Sequence, residues 1–148
     1  MRKAMTFFMV FVLMMVSADL FAESKNNGEL SFCAGLSLGG GINDIFGAAN
    51  LGYYSKNVGL EAHGALNGGV VIIGGNLVVE FFDAKRVVPF VTGGIWTTTF
   101  RFFGFDVGGG IKVSLSKASA FRVEYRRYFF GNIEWGANSL IGGISLFF

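Results

Sequence analysis

Few residues in this chain could do chemistry, and they recur at alternate positions inside apolar stretches. They are Glu61 and His63, Glu80, Asp106 and Lys112, and then Arg122, Glu124 and Arg126, with Asn76 in the same kind of setting. Glu61 and His63 are two apart, which puts both on one face of a strand, a spacing that suits a general-base pair. No serine stands beside them, since Gly64 and Ala65 follow the histidine, so the local sequence offers no nucleophile for such a base. The expectation for His63 is therefore a hydrogen-bonded histidine inside the fold. One histidine and one cysteine cannot make a closed metal site, and no acidic cluster has calcium-loop spacing. The glycine runs Gly39-Gly40-Gly41, Gly74-Gly75 and Gly108-Gly109-Gly110 lack the following helix and Lys-Ser/Thr of a phosphate loop. No catalytic residue, cofactor or metal is expected.

The charges make better sense as partners for one another. If the strands on either side of residue 117 form a hairpin, Lys112 falls beside Arg122, with Glu124 diagonal to Lys112. Two adjacent cations require an anion, and Glu80 is expected at similar depth. The reading is a buried salt-bridge network; a narrow ion or proton path through the same residues is the lesser alternative.

The elements that would hold these residues are short and uniform. Charged residues make up 15% of the 148 residues, against about a quarter in ordinary soluble domains. Phenylalanine occurs 18 times, glycine 23 times and proline once. The net charge of +2 gives no footprint for a nucleic-acid partner. Residues 1–22 read as a signal peptide: a basic start at Arg2-Lys3, the apolar run "TFFMVFVLMMV", then small residues in "SADLFA". Cleavage is expected after Ala22, with Ala18 as the alternative. Residues 23–28 form a short N-terminal segment, and 29–148 the folded domain. Cys33 is alone, so it has no internal disulfide partner, and it reads as a small residue on a strand.

From residue 29 onward the apolar period is two, in segments near 29–41, 44–55, 57–67, 70–82, 87–98, 102–115, 119–130 and 138–148. In "FGFDVGGGIKVSL", Phe103, Phe105, Val107, Ile111, Val113 and Leu115 alternate with Gly104, Asp106, Gly108, Gly110, Lys112 and Ser114. The first segment alternates Leu30, Phe32, Ala34, Leu36 and Leu38 with Ser31, Cys33, Gly35 and Ser37. Such alternation suits a soluble barrel facing inward or a membrane barrel facing outward. The minor face decides for the second: it is small, with single charges, where a water-facing surface would be crowded with Lys, Glu and Gln. A small face fits the cramped lumen of a small barrel. A soluble lipocalin-like binder is the competing fold.

Aromatic residues gather at strand ends. Tyr53, Tyr54, Phe81, Phe82, Phe90, Phe121, Phe147 and Phe148 are expected in one girdle, with Trp96, Phe100, Phe102, Phe103, Phe129 and Phe130 in the other. Short connections are expected at 55–57, 83–86 and 116–119 on one side. "GGIND" (40–44), "NGG" (67–69), "TTFR" (98–101) and "GNIEWGAN" (131–138) lie on the other. Arg127 points outward by parity, and two readings stay open for it: contact with lipopolysaccharide phosphates, or an arginine that snorkels to the interface with no specific ligand. The last segment turns Leu140, Gly142, Ile144, Leu146 and Phe148 outward and must pair with the first to close the barrel, because lipid offers no partner to an unpaired backbone group.

These features together resemble the small eight-stranded outer-membrane β-barrel family, as in OmpX and the membrane domain of OmpA. "VPFVTGGIW" (88–96) and "ASAFRVEYRRYFF" (118–130) look like that family's fifth and seventh strands. The resemblance implies an all-β, antiparallel, up-and-down transmembrane barrel in the bacterial outer membrane, monomeric, in contact with outer-membrane lipid and lipopolysaccharide. It also implies that Leu140, Gly142, Ile144, Leu146 and Phe148 act as the C-terminal signal read by the β-barrel assembly machinery through strand addition. The role implied is structural or interactive, not enzymatic. Two alternatives stay open: a lipid-A-modifying enzyme and a narrow solute or ion pore.

Overall fold

The computed structural model describes residues 27–38, 45–81, 86–99, 102–130 and 133–148. The expected signal peptide, the "GGIND" connection and Phe82 and Phe100 lie outside the described residues. The eight strands are β1 (Gly28–Leu38), β2 (Ile45–Ser55), β3 (Val58–Asn67), β4 (Val70–Glu80), β5 (Val87–Thr98), β6 (Phe103–Ser114), β7 (Ser119–Phe130) and β8 (Ile133–Phe147). Each pairs with its sequence neighbour, and β8 pairs antiparallel with β1, so the sheet closes into an up-and-down barrel. At the seam, Gly28 donates to the Phe148 carbonyl at 2.9 Å and Phe148 donates to the Gly28 carbonyl at 3.0 Å. Closure leaves no edge strand to seek a partner.

Tight hairpins hold the register. Asn67 pairs with Val70 around Gly68 and Gly69, whose φ values of 54° and 87° suit the left-handed two-residue turn that matches strand twist. The β2–β3 turn places Lys56 at φ 57°, unusual for a residue with a Cβ.

The interior is inverted relative to a soluble domain. Arg122 and Arg126 are 0% exposed, whereas Ile45 is 77% and Leu60 is 68% exposed. Val107 and Ile111 face outward while Lys112 is buried, in the orientation expected from the alternation. Among the described residues apolar side chains enter the lumen in patches, which include Phe46, Ala65 and Ile141 with Cys33, Ala48 and Ile72, and Tyr54 with Val78 and Phe90. Glycines clear space for the larger inward groups. A Cβ on Gly59 would come within 2.5 Å of the Tyr54 ring, and one on Gly104 would come within 2.5 Å of the Trp96 ring.

Two expectations are corrected. "GNIEWGAN" is not a loop from 131 to 138: β8 begins at Ile133, which pairs with Phe130 after a register shift at Phe129/Phe130. A bulge lets the pairing continue past the break in alternation that had suggested a loop. The girdles also lose three members. Tyr53, Phe81, Phe102, Phe103, Phe121 and Phe148 are exposed, but Tyr54, Phe90 and Trp96 point into the lumen. Position along the strand had put them at its ends; parity puts them inside.

Candidate functional site

The lumen contacts gather around three cations, Lys112, Arg122 and Arg126. Toward the end that carries Gly28 and Phe148, the Lys112 ammonium pairs with Glu29, with Glu80 Oε1 at 2.8 Å, and donates to the Tyr54 hydroxyl at 3.0 Å. It also lies 4.4 Å from the Tyr54 ring centroid. Lys112 and Arg122 are register partners across β6 and β7, as the hairpin required. Arg122 grips Glu61 with both terminal nitrogens, at 2.7 and 3.1 Å, while its Nε donates to Glu124 at 3.1 Å. Glu29 Oε1 lies 3.5 Å from the same guanidinium, and the Phe90 ring covers it at 4.6 Å. Tyr54 ties the two centres together by donating to Glu61 at 2.5 Å. Ser31 donates to Glu29 at 2.9 Å and meets Ser145 across the β1–β8 seam at 2.8 Å.

Further along the lumen, Arg126 donates through Nε to Glu124 at 2.6 Å. Its other arm lies 3.5 Å from Asp106, too long for a hydrogen bond. With the Asn76 amide turned so that its oxygen faces Arg126, that arm donates to it at 2.8 Å. His63 Nδ1 meets the Asn50 side-chain oxygen at 2.5 Å. Among the described residues, His63 Nε2, Thr92 Oγ1 and both Asp106 oxygens find no hydrogen-bond partner.

The structure thus brings Glu61, Glu80, Lys112, Arg122, Glu124 and Arg126 into one chain of contacts, with Asn76 and Asp106 at its far side. His63 stands apart, on Asn50. Glu29, Tyr54, Asn50 and Phe90 belong to the constellation and were not anticipated there, while Ser31 and Ser145 lie on the inward face that alternation gave them. Extending the β1 alternation by two residues below Ser31 would have found Glu29. Nothing local distinguishes Tyr54 from Tyr53 except parity. A bidentate Arg122–Glu61 pair locked by a tyrosine hydroxyl is suited to rigid filling of a narrow space. Among the described residues no hydroxyl hydrogen-bonds to His63, whose Nδ1 meets Asn50, so the described geometry forms no nucleophile–base pair.

No family model matches the chain, and no curated protein matches it. Solved structures do match in shape. A de novo designed transmembrane β-barrel aligns with TM-score 0.69 at 17% identity, over 85% of this chain and 99% of its own. The fold is that of the small outer-membrane β-barrels. The N-terminal β-barrel domain of Pseudomonas aeruginosa OprF aligns with TM-score 0.68 at 12% identity, over 83% of this chain and 98% of that one. The outer-membrane enzyme PagL aligns with TM-score 0.52 at 14% identity, over 80% and 98%. Since an enzyme shares the architecture, the barrel does not decide activity; the site residues must.

Proposed function

We propose that this chain is an integral protein of the bacterial outer membrane with a structural and interaction role. Its lumen is filled by a salt-bridged side-chain network and is not an open channel. The carrying observation is the inversion: the guanidinium groups of Arg122 and Arg126 are fully enclosed while large aliphatic side chains cover the outside. In water that arrangement would expose most of the apolar surface; in a bilayer it satisfies both environments. In this reading the outward residues Leu140, Gly142, Ile144, Leu146 and Phe148 of β8 serve as the strand delivered to the assembly machinery, which hands β8 to β1. The barrel works as a monomer, since closure leaves no edge to share.

The test is fractionation followed by gel electrophoresis with and without heating. The protein is expected in the outer-membrane fraction, with faster migration before boiling than after. Recovery in the soluble periplasm, with one migration position, would overturn the reading.

The enzyme alternative gains support from the shared fold with PagL. The contact of His63 with Asn50 inside the lumen speaks against it. A His63→Ala strain with an altered lipid-A profile would favour the enzyme. The pore reading loses support from the Arg122–Glu61 and Lys112–Glu80 pairs that cross the lumen.

A further inference from the structure

On the outer wall, β7 and β8 set three polar side chains together. Arg127 and Asn138 are register partners, and Tyr125 pairs with Leu140 one step along the same face. The Tyr125 hydroxyl donates to Asn138 Oδ1 at 2.8 Å, which leaves the Asn138 amide nitrogen as a donor. The Arg127 guanidinium lies 5.3 Å from the Phe129 ring centroid, leaning along β7 away from the end that holds Gly28 and Phe148. Among the described residues it joins no ion pair. An arginine on an apolar wall is costly unless it reaches an anion or water at the interface.

Next to these donors, toward the end that holds Gly28 and Phe148, the wall is hollowed. Ala34, Leu36, Ile45, Val123, Leu140 and Gly142 line an apolar groove of about 310 Å³. It exists because two small residues, Ala34 and Gly142, are register partners, and the Leu36–Leu140 pair borders them. A Cβ on Gly142 would meet no atom within 4 Å. The register runs without a gap from donors to groove: Arg127 pairs with Asn138, Tyr125 with Leu140, and Val123 with Gly142.

A planar cation and an amide donor at the head of a hydrocarbon groove match a phosphate that carries an acyl chain. We infer that this wall binds lipid A, with a phosphate on Arg127 and Asn138 and one acyl chain lying between Ala34 and Gly142. The inference rests on the membrane reading above. The inference places the barrel end that carries Gly28 and Phe148 on the periplasmic side, so that the donors face the outer leaflet, where this phosphorylated glycolipid resides.

The test uses the whole barrel folded in detergent micelles. Heat-modifiable migration is checked first, and lipid retention is then measured by native mass spectrometry. The wild type is expected to retain lipid A in preference to phosphatidylglycerol and to dephosphorylated lipid A. Arg127→Gln, which removes the charge, and Ala34→Phe, which fills the groove from an exposed position, should each weaken retention about tenfold. Leu60→Phe, on another part of the wall, should leave retention unchanged. Equal retention by Arg127→Gln and Ala34→Phe, or equal binding of phosphatidylglycerol, would overturn the site while leaving the barrel intact. Loss of heat-modifiability in the wild type would overturn the membrane reading itself, before any lipid is added.

Discussion

Two regions of one lumen are built to different standards. Around Lys112 and Arg122, each carboxylate oxygen that Glu61 offers has a donor, and Tyr54 locks the two cations' partners together. Around Asp106 and His63, buried acceptors and donors sit without hydrogen-bond partners among the described residues. Both regions are equally enclosed, with Asp106 and Glu61 each 3% exposed. Burial alone therefore does not measure how firmly a charge is held. The first region acts as a knot that fixes strand against strand. The second has polar capacity to spare and suits internal water.

Substitutions can break or sharpen that contrast. The largest effect is expected for Arg122→Ala, which strands carboxylates of Glu29, Glu61 and Glu124 together. Removing one partner of a buried pair costs about 3–5 kcal/mol, and urea unfolding followed by gel migration should read a loss of that order. Glu124→Gln should come next, because it weakens contacts to both Arg122 and Arg126; about 2–3 kcal/mol is expected in the same assay. Tyr54→Phe removes one hydroxyl that both donates and accepts, and should cost about 1–3 kcal/mol. The smallest effect is expected for Asp106→Asn, within about 1 kcal/mol, since its carboxylate receives no hydrogen bond that an amide would lose. If Asp106→Asn cost as much as Glu124→Gln, the two regions would not differ as described.

Much of this was legible from residue order. Strict alternation in "FGFDVGGGIKVSL" located Asp106 and Lys112 on the inner face, and the short "SKAS" connection was enough to pair Lys112 with Arg122. The same rule would have reached Glu29, which lies on the inward parity of Ser31, but its place at the edge of the first segment hid it. The aromatic residues were harder. Tyr54, Phe90 and Trp96 have the composition of a girdle, and composition cannot say which of two faces a ring occupies. Trp96 instead meets Tyr128 edge-on, with centroids 5.9 Å apart. The start of β8 was hidden for another reason: the register shift at Phe129/Phe130 interrupts the period that marks a strand.

What the linear chain determined by itself is the two-sided strand, repeated until a barrel could close, because side chains on an extended backbone must alternate between faces. Which carboxylate of a distant strand meets which cation was decided only by closure. Glu29 and Lys112 are 83 residues apart, as are no two groups that a local pattern could relate, and they meet because β1 and β6 look at each other across an enclosed space. Contacts across a lumen depend on strand number, tilt and stagger together, and those are properties of the closed sheet as a whole.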